Sequence, residues 1–136
     1  MLFRSRKLEL LRIKVRRMTA EGKEANEEVY RLAAALLSGL EEEEKQLKEK
    51  AENGVLPEKE REKLEQQEAE VFREMALCQA GMGDLKAALD RIGAAVRLDP
   101  SYTHIWVKGD LLYQNGSWSK ALEAYEEVRE IGRAHV

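Results

Sequence analysis

The sequence predicts an all-α fold, built from antiparallel helix pairs with a long, charged helical hairpin at the N-terminal end. Three observations carry this expectation. Helix formers (Glu, Lys, Leu, Ala, Arg, Gln) dominate the 136 residues, and no alternating, turn-punctuated strand pattern runs through them. The two prolines, Pro57 and Pro100, and the scattered glycines fall at breaks between helical stretches or singly within them. A short segment also recurs further along the chain, the mark of a helical repeat.

Residues 6–18 place Leu8, Leu11, Val15 and Met18 on one helical stripe, although Arg12 to Arg16 also alternates as a strand would. Helix is preferred because everything downstream is helical. Thr19 to Lys23, with Gly22, reads as a connection. From about Glu24 to Glu52 a long helix is expected, its first half carrying an apolar face of Val29, Leu32, Ala33, Leu36, Leu37 and Leu40. Asn53-Gly54-Val55-Leu56-Pro57 breaks it, since Gly54 suits a left-handed helix end and Pro57 the first turn of the next helix. A second long helix then runs from about Pro57 to Gly81. Most residues between Glu41 and Glu70 are charged, and pairs such as Glu41–Lys45 and Glu44–Lys48 support an exposed helix. The hairpin is therefore expected to project its tip into water along a thin apolar seam.

The two ends stand apart. Met1-Leu2-Phe3-Arg4-Ser5 and Ile131-Gly132-Arg133-Ala134-His135-Val136 resemble translations of a short-read sequencing adapter, each in the expected orientation. Residues 1–5 and 131–136 are therefore set aside from fold reasoning, and the remainder is expected to be a fragment of a longer gene.

Composition excludes several function classes. One cysteine, Cys78, allows no disulfide framework, no structural zinc site and no CxxC redox pair. The longest nearly apolar stretch, Leu32 to Leu40, already contains Ser38 and Gly39, and about twenty apolar residues would be needed to cross a bilayer. A net charge of −3 and a pI near 5.6 argue against a dedicated nucleic-acid binder. The basic cluster Arg6, Lys7, Arg12, Lys14, Arg16 and Arg17 reads as the wet face of an amphipathic helix, because no aromatic residues interleave for stacking on bases. No signal specifies a compartment, and the cytoplasm is favoured.

Gly83-Asp84-Leu85-Lys86-Ala87-Ala88-Leu89 recurs, at an offset of 33, as Gly116-Ser117-Trp118-Ser119-Lys120-Ala121-Leu122. Carried outward, this offset pairs Phe72 with Ile105, Ala76 with Gly109, Ile92 with Tyr125 and Ala95 with Val128. Ala76 and Gly109 are small where the first helix of each unit approaches its second, and Ala88 and Ala121 are small where the second crosses back. Leu85 and Trp118, with Ile92 and Tyr125, are expected to supply the bulk around those contacts. Gly83 and Gly116 end the first helices, and Pro100 closes unit one. An offset of 34 would instead pair Phe72 with Trp106 and place Tyr113 in the core. The offset of 33 is preferred because it puts Gly109 rather than Asp110 at the close crossing.

On these residues the chain resembles the tetratricopeptide repeat family, helix–turn–helix units of about 34 residues. The resemblance covers residues 69–101 and 102–130, with residues 6–68 forming N-terminal helices that include the hairpin. It implies an α-solenoid scaffold that binds a protein or peptide in the groove lined by successive first helices. It places Glu70, Arg73, Leu77 and Ala80 of unit one, and Thr103, Trp106, Asp110 and Tyr113 of unit two, on that groove. Trp106, Asp110 and Tyr113 fall at i, i+4 and i+7, and two aromatics flanking an acid suit a peptide with a basic or apolar anchor. The alternative is that Trp106 and Tyr113 pack against neighbouring helices. Some family members grip C-terminal carboxylates. Arg73 stands at one such position, but Leu77 stands where an asparagine is expected, so the resemblance does not extend to that subtype.

No catalytic constellation emerges. Outside the set-aside ends the one histidine is His104, and Cys78 sits mid-helix as a small hydrophobe would. No phosphate-binding loop, dinucleotide fingerprint, metalloprotease, nucleophile-elbow or calcium-loop motif occurs. Neither enzymatic activity nor a cofactor nor a metal is expected. A regulatory segment of a signalling protein, or a non-catalytic part of a multidomain enzyme, remains the rival to a peptide-binding scaffold. The last helix, about Ser119 to Glu130, carries Leu122, Tyr125 and Val128 on a flank expected to be partly uncovered, which implies self-association of the isolated chain.

Overall fold

The computed structural model describes residues 23–50 and 56–134. Five helices account for them: α1 (Lys23–Lys50), α2 (Glu58–Gly81), α3 (Leu85–Leu98), α4 (Tyr102–Gln114) and α5 (Trp118–Ala134). The fold is all-α, with no strand among the described residues. The expected helix over 6–18 and the break at 53–55 lie outside them. α5 runs on through Ile131, Gly132, Arg133 and Ala134, residues set aside above as adapter-like.

Local chemistry explains most boundaries. α2 follows Pro57, whose φ of −53° and ψ of 142° place it at the N-cap rather than inside the first turn. Glu58 and Glu60 then set negative charge against the positive end of the helix dipole. α3 begins at Asp84, whose carboxylate accepts from the Ala87 N–H at 3.1 Å. It ends at Leu98 because the residue before Pro100 is driven out of the helical region, and Asp99 is accordingly extended.

The turn between α2 and α3 and the turn between α4 and α5 are the same structure, repeated at the offset read from the sequence. The Met82 N–H donates to Cys78 O at 3.0 Å, Gly83 N–H to Ala80 O at 3.0 Å and Asp84 N–H to Gln79 O at 2.9 Å. In the second turn Asn115 N–H donates to Leu111 O at 3.0 Å, Gly116 N–H to Tyr113 O at 3.0 Å and Ser117 N–H to Leu112 O at 2.9 Å. These are Schellman closures, in which a left-handed residue lets the chain satisfy the orphan carbonyls of the last turn. Gly83 and Gly116 supply that residue, at φ of 89° and 79°. A Cβ at either would meet nothing within 4 Å, so an alanine there bears only the backbone cost. Gly83→Ala and Gly116→Ala are each expected to destabilise by about 1–2 kcal/mol, read by urea unfolding. Unchanged midpoints in both would mean the two turns can close without left-handed backbone.

Packing follows chain order. α1 packs on α2, α2 on α3, α3 on α4 and α4 on α5, and α2 also touches α4. Two clusters result. The first joins Ala33 of α1 and Leu56 of the connection to Leu64, Val71, Met75 and Cys78 of α2. The second joins Ala69 and Ala76 of α2, Ala88, Ile92 and Ala95 of α3 and Leu111 of α4, with Phe72, Leu85, Leu89 and Val107 against it.

The apolar seam of the hairpin includes Leu56 and Leu64, which are buried and pin the start of α2 against α1. One expectation needs correction here. Leu32 is not part of the buried face of α1. It is exposed, and Tyr30, Ala33 and Ala34 take that role. The side chains of Val29, Leu36, Leu37 and Leu40 lie outside the described residues. The Tyr30 hydroxyl also accepts from Arg91 Nη2 of α3 at 3.3 Å, and the Arg91 guanidinium lies 5.5 Å from the centre of the Phe72 ring.

Candidate functional site: the α4 aromatic stripe and the α2–α4 polar cluster

The candidate residues separate into two groups. The first forms on α4 and reaches α5. Gly109 is buried where α5 crosses, and a Cβ there would lie 2.7 Å from the Tyr125 ring and 3.3 Å from the Ala124 methyl. The absence of that atom lets the Tyr125 ring come close against α4. Its ring meets Trp106 at a centroid separation of 4.9 Å and a tilt of 51°. Its hydroxyl donates to Asp110 Oδ1 at 2.6 Å. That hydrogen bond, then burial and the neighbouring negative charge, push the Tyr125 phenol up to about 12, so it stays a donor at neutral pH. Trp106 is half-exposed and Tyr113 more so, and Asp110 between them is half-buried.

The second group lies between α2 and α4. Arg73 Nη2 pairs with Glu74 Oε1 at 3.1 Å, and both side chains are mostly covered. Beside them His104 is 2% exposed, with Nε2 3.5 Å from Asp99 Oδ2 and Nδ1 without a hydrogen-bond partner among the described residues. Burial and the Arg73 charge lower the His104 pKa below 6.5, against the opposing pull of Asp99 and Glu70. The charges of Glu70 and Arg73 both act on His104, and the pairing of Arg73 with Glu74 uses part of what the sequence assigns to an open groove. Leu77, Ala80 and Thr103 are all half-buried.

This cluster carries a pH prediction. A histidine whose folded pKa is depressed takes up a proton more readily when unfolded, so acid favours unfolding. Stability from this group is present above 6.5 and is lost as pH falls below that value. The urea midpoint should drop between about pH 7 and about pH 5, and His104→Gln should flatten that slope. A slope unaltered in the variant would place the titration elsewhere.

Cys78 lies on the α1 side of α2, among Val71, Met75 and Ala33. Burial, with the Glu74 charge second, pushes its thiol up to about 12, so at neutral pH it packs as a protonated side chain. Among the described residues no group of three or more His, Cys, Asp or Glu side chains could hold a metal ion, and no helix is long and apolar enough to cross a membrane.

Sequence reasoning misses two features. It gives Tyr125 as bulk around the crossing and as part of a partly uncovered flank, whereas Tyr125 ties Trp106 to Asp110. It leaves His104 without an assigned place, and the structure buries it between α2 and α4. The signal for the second was available, since the repeat frame sets His104 on Val71, which is fully buried. The structure also corrects Trp118. Its counterpart Leu85 is half-buried against the second cluster, whereas Trp118 is exposed, because no described helix lies over α5 as α4 lies over α3.

No family model, curated protein or solved structure matches the chain.

Proposed function

We propose that this chain is a helical-repeat module of the tetratricopeptide kind, whose work is to bind a protein or peptide rather than to catalyse. The observation that carries the proposal is the exposure of large hydrophobic side chains on one unit. Tyr102, Trp106, Tyr113, Trp118 and Leu122 all lie exposed on α4 and α5, whereas α2 and α3 contribute none. Exposed apolar patches of this kind mark interaction surfaces. The recurrence of one turn at the repeat spacing supports the assignment, and the α2–α4 contact supports stacking of first helices along a groove.

Within that groove Trp106 and Tyr113 would flank a peptide, and Asp110 would face a basic anchor. Arg73 is spoken for by Glu74, which argues further against capture of a terminal carboxylate. The test is selection from a displayed random-peptide library, followed by titration of synthetic copies of the selected peptides. Trp106→Ala and Asp110→Asn should each weaken binding about tenfold, with helicity retained by circular dichroism. A library yielding no binder, or binders indifferent to both substitutions, would sink the groove assignment.

A further inference from the structure

The Tyr125–Asp110 pair belongs to unit two alone. One repeat back, Asp110 falls on Leu77, Tyr125 on Ile92 and Gly109 on Ala76. Ile92 fills the crossing of unit one and is fully buried there, so close packing of the two helices needs no hydroxyl. What the phenol adds is a polar bond. It donates to Asp110 Oδ1 at 2.6 Å and stays protonated at neutral pH. Among the described residues Asp110 Oδ2 has no hydrogen-bond partner, and no lysine or arginine pairs with the carboxylate. Asp110 is half-buried, one helical turn from the half-exposed Trp106 ring that Tyr125 also contacts.

We infer that Tyr125 makes this site select a lysine side chain, rather than an arginine, as the basic anchor of the bound peptide. Tyr125 acts through Asp110 rather than by touching the peptide, so this selectivity rests on the groove reading above and names the anchor left open there. A guanidinium pairs best with a carboxylate through two parallel N–H···O bonds, which engage both oxygens. With the phenol seated on Oδ1, Oδ2 is the oxygen left open. One open oxygen suits the compact ammonium of lysine, a point charge with no fork to satisfy. The four-carbon stem of the lysine would lie along the Trp106 ring while its charged end reaches Oδ2.

Two displayed peptide libraries provide the test, identical except for a central position fixed as lysine in one and as arginine in the other. Each recovered peptide is synthesised with lysine, arginine and norleucine at that position and titrated with the full chain by fluorescence anisotropy. Lysine peptides should bind about fivefold tighter than their arginine partners, and about tenfold tighter than the uncharged norleucine ones. Tyr125→Phe keeps the ring beside Trp106 but frees Oδ1. It should let the arginine peptides gain, bringing the pair to within about twofold of each other. Asp110→Asn leaves Tyr125 in place and should erase the advantage of lysine over norleucine, which decides the role of the charge independently. An arginine preference in the unsubstituted protein, or a lysine preference untouched by Tyr125→Phe, would overturn the selectivity and leave the groove standing. Equal binding of lysine and norleucine peptides that Trp106→Ala abolishes would do the same, by showing an apolar anchor. Failure of both libraries to yield a binder would remove the groove, and the selectivity with it.

Discussion

Replacing Ile92 with alanine is expected to destabilise the fold by about 2–5 kcal/mol, a large share of what holds a small domain folded. Ile92 is fully buried at the centre of the cluster that joins α2, α3 and α4. The lost apolar contact adds to the cost of the cavity. That cavity would collapse poorly, because Ala76, Ala88 and Ala95 around it are too short to swing in. Chemical unfolding followed by far-UV circular dichroism measures the effect. Leu122→Ala is the matched control on the exposed flank of α5, expected to stay within about 0.5 kcal/mol of the unsubstituted protein. Equal losses at the two positions would mean that α4 does not close over unit one.

The opposite change, adding volume, should be felt at Ala88 and Ala121. Both are buried where the second helix of a unit crosses the first, and Ala88→Leu and Ala121→Leu are each expected to destabilise by about 1–3 kcal/mol. The two costs should differ. Ala88 is enclosed by α2, α3 and α4, whereas α5 is held from one side only and can shift outward to relieve a larger side chain at 121. Thermal unfolding should therefore show the larger drop for Ala88→Leu. If both variants keep the original midpoint, the small-residue crossings have been misassigned.

Much of this architecture is legible in the residues, for identifiable reasons. Gly83 and Gly116 can be read as helix ends because left-handed backbone strongly favours glycine, and Ala88 and Ala121 as crossings because close helix approach demands small side chains. The hairpin is harder to read. Two leucines, Leu56 and Leu64, look negligible in a run of charge, yet both are buried once α1 lies alongside. The site is legible only in part. Periodicity places Trp106, Asp110 and Tyr113 on one face of α4, but it cannot report that Tyr125, from another helix, crosses over Gly109 to bond Asp110. Nor can spacing separate a covered arginine from a free one. Arg73 and Trp106 are equivalent in the repeat frame, and only the pairing with Glu74 distinguishes a structural charge from an available one.

The serial packing order has a mechanical consequence. Each helix leans on its immediate neighbours, and among the described residues only the α2–α4 contact and the Tyr30–Arg91 bond from α1 to α3 skip one. A load applied along such a stack is not shared among all five helices at once. Pulled from the C-terminal end, α5 should detach first, since it is anchored through α4 alone, and α4 should follow with the loss of Leu111 from the cluster beneath it. α1 to α3 would remain together, braced by Tyr30 and Arg91 across α2. Extension should then proceed as discrete steps of one helix length, with the weakest step at the end that carries the exposed aromatics. The molecule would behave as a ratcheted spring rather than a rigid strut, and anything seated over α4 and α5 would act as its latch.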